Sequence, residues 1–178
     1  MKTPGRSKAV YGRREFLTGR FLVPEEKERE KTAAQCLGPP PPAVPLRRDS
    51  SNPCRECAAP CLASCEPQII KRHPPDHVLA GMAYLSFENS GCTFCGDCIE
   101  VCPLEVPIPT GPGKLGELYL STDRCVTWDG VICRSCEWAC TYEAIKMDSR
   151  GRPRIDSKAC TGCGFCIGVC PTTALEVR

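Results

Sequence analysis

Short apolar groups, never a long apolar run, punctuate this chain. Gln68-Ile69-Ile70-Lys71 and Ala83-Tyr84-Leu85-Ser86-Phe87 flank a wider loop containing Pro and Gly, and Leu118-Tyr119-Leu120 reads as one more extended segment. Further on, Glu143 to Met147 and Arg154-Ile155-Asp156 lie either side of Asp148-Ser149-Arg150-Gly151-Arg152-Pro153, which predicts a β-hairpin about a Gly and Pro turn. The ending Ala174-Leu175-Glu176-Val177 predicts a closing strand, expected to pair near Val126 or Ile132. Pro24 to Gln35 carries enough charge for a short polar helix but has no apolar stripe to bury. No stretch approaches the length of a membrane span.

Between the strands lie the cysteines. Sixteen of the 17 fall into four compact motifs. Cys92, Cys95, Cys98 and Cys102, followed by Pro103, and Cys160, Cys163, Cys166 and Cys170, followed by Pro171, both read Cys-x2-Cys-x2-Cys-x3-Cys-Pro. That run is the bacterial ferredoxin spacing for 4Fe-4S ligation. Two variants complete an internal repeat: Cys54, Cys57, Cys61 and Cys65 are spaced x2, x3, x3, and Cys125, Cys133, Cys136 and Cys140 are spaced x7, x2, x3. The implied load is four 4Fe-4S clusters.

Two rival uses of so much cysteine fit less well. A disulfide scaffold belongs to secreted chains and needs no repeated three-plus-one spacing. A structural zinc site usually joins two separated Cys-x2-Cys pairs, whereas here four thiols crowd into one short segment, twice followed by proline. Composition supports iron-sulfur: aromatic residues are only 6% of 178, so an ordinary hydrocarbon core is thin and a cluster-dominated core must stand in for it. The apo chain is then expected to be largely unfolded.

The expected architecture is α+β, with two tandem bicluster ferredoxin-like units at residues 51–113 and 114–178 behind a flexible arm and Pro-rich linker at residues 1–50. Within the arm, Gly12-Arg13-Arg14-Glu15-Phe16-Leu17 resembles a twin-arginine export signal. No apolar h-region follows it, because Thr18-Gly19-Arg20-Phe21-Leu22-Val23 runs straight into Pro24-Glu25-Glu26-Lys27. A cytoplasmic location is expected, with the arm either disordered or docking a partner. A net charge of +2 gives no reason to expect nucleic acid or an anionic membrane as partner.

The spacing also predicts which thiols share a cluster. Three cysteines in a tight loop grip one cube, and the fourth, carried away by a helix, serves its neighbour. The predicted sets are Cys54, Cys57, Cys61 and Cys102; Cys65, Cys92, Cys95 and Cys98; Cys125, Cys133, Cys136 and Cys170; and Cys140, Cys160, Cys163 and Cys166. Gly91, Gly96, Gly162 and Gly164 in or beside the loops let backbone N–H groups approach sulfur. Trp128 and Trp138 are read as packing residues, His73 and His77 as loop residues rather than ligands, and Cys36 as a spare thiol. Without a nucleotide fingerprint, nucleophile motif or histidine-carboxylate group, the chain is expected to be no enzyme.

Taken together, Arg13-Arg14-Glu15-Phe16-Leu17-Thr18-Gly19-Arg20, the four cysteine motifs and the x7 gap between Cys125 and Cys133 resemble the cytoplasmic ferredoxin-type accessory proteins of the bacterial periplasmic nitrate reductase system. The first motif departs from that family's x2, x2, x3 pattern at Cys61. The resemblance implies a protein that binds the molybdenum-containing catalytic subunit before export and assists its maturation or passes it electrons, with the redox partner left open. Two other classes remain: an electron-wire subunit of a larger oxidoreductase, and a cluster-stabilised interaction module.

Overall fold

The computed structural model describes residues 37–42, 52–104 and 113–178. The twin-arginine-like stretch, the Pro24 to Gln35 segment and Cys36 lie outside the described residues. Of the expected linker, residues 37–42 are described. The Leu85 N–H donates to the Pro39 carbonyl at 2.8 Å and Pro41 is fully buried, so these residues pack against the strand that contains Leu85.

Every element is short. In chain order they are a 3-10 turn at Pro53–Arg55, α1 (Pro60–Ser64), β1 (Ile70–Arg72), β2 (Ala83–Leu85), α2 (Asp97–Glu100) and β3 (Leu118–Leu120). A second 3-10 turn at Val126–Asp129 leads to α3 (Ser135–Trp138), β4 (Ile145–Met147), β5 (Pro153–Ile155), α4 (Phe165–Gly168) and β6 (Leu175–Val177). The six strands form three antiparallel pairs. The hairpin expected around Gly151 is present, with Ile145 opposite Ile155 and Met147 opposite Pro153. Asp148 closes its turn by accepting the N–H groups of Arg150 and Arg152 at 2.8 and 2.9 Å, an Asx arrangement that a short side-chain carboxylate favours.

The closing strand pairs differently from expectation. β6 lies against β3, with Leu118 opposite Val177 and Leu120 opposite Leu175, and not near Val126 or Ile132. The reason is local: Val126 is drawn into the 3-10 turn, where the N–H of Val131 bonds back to its carbonyl at 3.1 Å, so the backbone there has no extended edge to offer.

One turn recurs through the molecule. Three residues after Cys65, Cys140 and Cys170, the residues Gln68, Glu143 and Thr173 adopt positive φ of 52°, 51° and 47°. Each donates its N–H to the carbonyl of that cysteine, at 2.9, 3.1 and 3.3 Å. A left-handed conformation costs a residue with a Cβ about 1 kcal/mol, and here it reverses the chain into β1, β4 and β6 in turn.

Two small cores result. One gathers Ile69, Ile70, Ala83, Leu85, Phe87 and Val177 with Cys54, Cys61 and Cys65. The other gathers Ile145, Leu175 and Cys166, with Ile155 and Leu120 at its margin. β6 belongs to both, since Leu175 enters the second core and Val177 the first, while Leu118 and Ile167 pack against each. The two halves are therefore stitched together by alternate residues of a single strand.

Candidate metal centre

The third cysteine of every motif sits inside a one-turn helix: Cys61 in α1, Cys98 in α2, Cys136 in α3 and Cys166 in α4. The fourth follows the end of that helix. Three of these helices begin from a left-handed residue, Ala59 (φ 55°), Gly96 (φ 92°) and Gly164 (φ 86°). The extra residue of the first motif is absorbed here. Pro60 takes the first helical position, where its missing N–H is no loss. In the third motif the x7 gap is filled by the 3-10 turn, closed by Gly130 at φ 82°.

These local bends bring cysteines of different motifs together. Cys125, Cys133, Cys136 and Cys170 ring one small cavity, and Cys140, Cys160, Cys163 and Cys166 ring another. Cys65, Cys92, Cys95 and Cys98 line a wider, open cleft. For Cys54, Cys57, Cys61 and Cys102 the sign is electrostatic. Burial raises the Cys61 thiol above its ordinary pKa, and the neighbours that raise it further are Cys54, Cys102 and Cys57. In each set the member from the other motif, Cys102, Cys65, Cys170 or Cys140, is the one the crossed spacing named.

Thiol acidities trace the same neighbourhoods. Burial first, then Cys92, Cys95, Cys65 and Cys61, push Cys98 up to about 12. Burial followed by Cys133, Cys125 and, more weakly, Cys170 pushes Cys136 up to about 11. Cys166 is also raised, by burial and then by Cys163, Cys160, Cys136 and Cys140. Cys170 differs. Burial pushes it up, but the Ala174, Thr172 and Leu175 N–H groups and the Thr172 hydroxyl outweigh that and leave it below its ordinary value.

Donors surround the sulfurs as a metal-thiolate site requires. The N–H groups of Ala59, Phe94, Ala144 and Ala174 point at the sulfurs of Cys57, Cys92, Cys140 and Cys170 at 3.3 to 3.4 Å. The last two of these follow from the recurrent left-handed turn. Hydroxyls add to them: Thr127 Oγ1 is 3.2 Å from Cys125 Sγ, Ser135 Oγ 3.7 Å from Cys133 Sγ, and Thr172 Oγ1 3.8 Å from Cys170 Sγ. Thr161 Oγ1, buried with no hydrogen-bond partner, belongs to a residue lining the Cys140 cavity. A buried unpaired hydroxyl is costly, and a sulfide-bearing group in that cavity offers it an acceptor. Four soft thiolates per site, their donors and this orphaned hydroxyl fit an iron-sulfur cube. Among the described residues no three His, Cys, Asp or Glu side chains are disposed to hold a single metal ion.

Other residues stand apart from these sites. His73 and His77 are buried and stacked on each other, with ring centroids 4.3 Å apart, and His73 also lies against Tyr84. Neither lines a cysteine cavity. Both lie in the loop between β1 and β2, as expected, and are packed there as an aromatic stack. Trp138 is 79% exposed, which corrects its reading as a packing residue, whereas Trp128 lies under the Arg152 guanidinium at 5.1 Å. The sequence reading passed over Thr127, Ser135 and Thr172, although each stands two residues after a ligand-set cysteine.

A model of the 4Fe-4S dicluster domain matches residues 53–106 and 131–174, more than half of the chain. The chain belongs to the 4Fe-4S dicluster family. It is homologous to the ferredoxin-type protein NapF of Escherichia coli (strain K12), 29% identical over 129 residues, spanning 70% of this chain and 75% of the relative. It is similar too to the methylamine utilization ferredoxin-type protein MauM of Methylobacillus flagellatus, 27% identical over 169 residues, spanning 85% and 71%. The ferredoxin-type protein NapG of Escherichia coli is 27% identical over 150 residues, spanning 73% and 64%. This dicluster protein thus carries two tandem domains of mixed short helices and strands. Among its described residues no helix is long and apolar enough to cross a membrane.

Proposed function

We propose that this ferredoxin-type protein carries four 4Fe-4S clusters, held by the four crossed cysteine sets, and moves single electrons along them. The observation that carries this reading is the continuity of the sets. Cys98 of the second packs in one core with Cys61 of the first, the Cys92 N–H of the second donates to the Cys163 carbonyl of the fourth, and Cys136 of the third packs in one core with Cys166 of the fourth. The order in space is therefore first, second, fourth, third, a single file across both domains. When bound, the clusters supply reversible one-electron chemistry. The chain's own residues supply thiolates, N–H and O–H donors to sulfur, and small cores that hold the loops in place, so that with clusters bound the interior is cluster-dominated.

No catalytic role of its own is assigned to the chain. Its likeness to NapF and NapG supports service to the periplasmic nitrate reductase system. The partner is the molybdoenzyme catalytic subunit, met as a precursor in the cytoplasm, where the chain assists maturation or delivers electrons. The test is anaerobic isolation followed by iron and acid-labile sulfide analysis and by capture of the molybdoenzyme precursor. Four cubes give 4 × 4, or about 16 irons and 16 sulfides per chain. Zinc without sulfide would overturn the reading, and sulfide-rich protein that never retains the precursor would overturn its partner. Since a file of clusters equally suits a permanent wire subunit, stable stoichiometric association with a mature oxidoreductase would select that role instead.

A further inference from the structure

Hydroxyl groups are distributed unevenly over the sulfurs. Three of the four in the third set, Cys125, Cys133 and Cys170, have a hydroxyl two residues on within 3.2 to 3.8 Å. Among the described residues, no such contact to a cysteine sulfur is made in the second or fourth set, and the fourth cavity has one hydroxyl, the buried Thr161 Oγ1, against three for the third. Sulfur bound to iron carries no proton, so in each pair the hydroxyl must be the donor. An O–H donated to a cluster ligand stabilises the form with more negative charge, which is the reduced one, and so raises the reduction potential. Backbone donors do not offset the difference, because Cys170 also receives the N–H of Ala174 at 3.3 Å, as Cys140 of the fourth set receives that of Ala144.

We propose that Thr127, Ser135 and Thr172 raise the potential of the centre held by Cys125, Cys133, Cys136 and Cys170 above those of the second and fourth sets. It stands beyond them at the end of the spatial file, so an electron that reaches the fourth set passes on to it. The inference rests on the four-cluster reading above. It adds a direction that equal clusters would not have. The three residues act through the thiolates and are positioning residues, not ligands.

The experiment is an anaerobic redox titration followed by paramagnetic resonance on the full chain, with iron and sulfide counted for every sample. In the wild type the step that Cys133→Ala abolishes should titrate above the steps that Cys98→Ala and Cys163→Ala abolish. Thr127→Val, Ser135→Ala and Thr172→Val should each move the Cys133-dependent step to more negative potential. Together they should change the oxidised-to-reduced ratio at a fixed potential by roughly tenfold, about 59 mV for one electron. The lower steps should stay in place, and Thr127→Ser and Thr172→Ser should restore the original value. A fully loaded triple variant in which the Cys133-dependent step is unmoved, or a Cys133-dependent step no higher than those dependent on Cys98 and Cys163, overturns the inference. If the triple variant fails to load, Ser135→Ala, which removes one oxygen only, decides by the same criterion. A wild-type chain without sulfide overturns the four-cluster reading itself, which separates the two failures.

Discussion

The N–H of Cys92 donates to the carbonyl of Cys163 at 2.7 Å, joining the second motif directly to the fourth across about seventy residues of chain. Around that bond the packing is reciprocal. Gly91 lies against the Phe165 ring and backbone, and Gly164 lies under the Phe87 ring. Both glycines adjoin the bonded cysteines, so the seam between the domains is also where their two inner ligand sets meet.

Replacing Gly164 should open that seam. A Cβ there would enter the Phe87 ring, and the backbone φ of 86° is strained for any L side chain. Gly151 has a similar φ of 72°, but a Cβ there meets nothing. Gly151→Ala should cost only the backbone strain, about 1 kcal/mol. Gly164→Ala should cost about 2 to 4 kcal/mol, as overpacking is added. Thermal unfolding of the two loaded variants measures the difference. Equal losses would show that the Phe87 contact is dispensable.

Crossed ligation has a spectroscopic consequence. Cys140→Ala should disturb the centre held by Cys160, Cys163 and Cys166 and spare the one held by Cys125, Cys133 and Cys136, since Cys140 lines the former cavity and not the latter. Paramagnetic resonance of single variants resolves the two. Matching losses in Cys140→Ala and Cys133→Ala, with Cys163→Ala distinct, would mean that each motif serves its own centre.

Removing the metal should remove the fold. The two cores contain few aliphatic side chains, and several of their members are cysteines of the ligand sets. Metal binding is then part of the folding free energy. Chelation of iron should abolish the cooperative thermal transition and most far-ultraviolet dichroism. A persistent transition in apo protein would show that the hydrocarbon contacts suffice.

The arm yields a separate expectation, from sequence alone. Arg13, Arg14, Phe16 and Leu17 combine guanidinium groups suited to carboxylates with apolar side chains. Deleting residues 1–35 should leave iron content and visible absorbance unchanged and weaken co-purification with the molybdoenzyme precursor. Undiminished association would move the interface onto the cluster domains.

Cysteine spacing was enough to name which cysteines the fold gathers into each group, because a tight loop carrying three thiols leaves no room for a fourth beside them. Alternation about Gly151 was enough for the hairpin, since its turn residues and its pairing are close in sequence. The partner of β6 was not legible. Leu175 and Val177 could face any apolar strand, and the choice of Leu118 and Leu120 over Val126 depended on a 3-10 turn that the apolar pattern does not reveal. Exposure of Trp138 was equally hidden, for an indole carries no sign of whether a neighbour will cover it. Motif order along the chain likewise gave no order in space. That the second and fourth sets meet follows from Phe87, Gly164, Phe165 and Gly91 interlocking, a fit of shape between distant residues that no local pattern encodes.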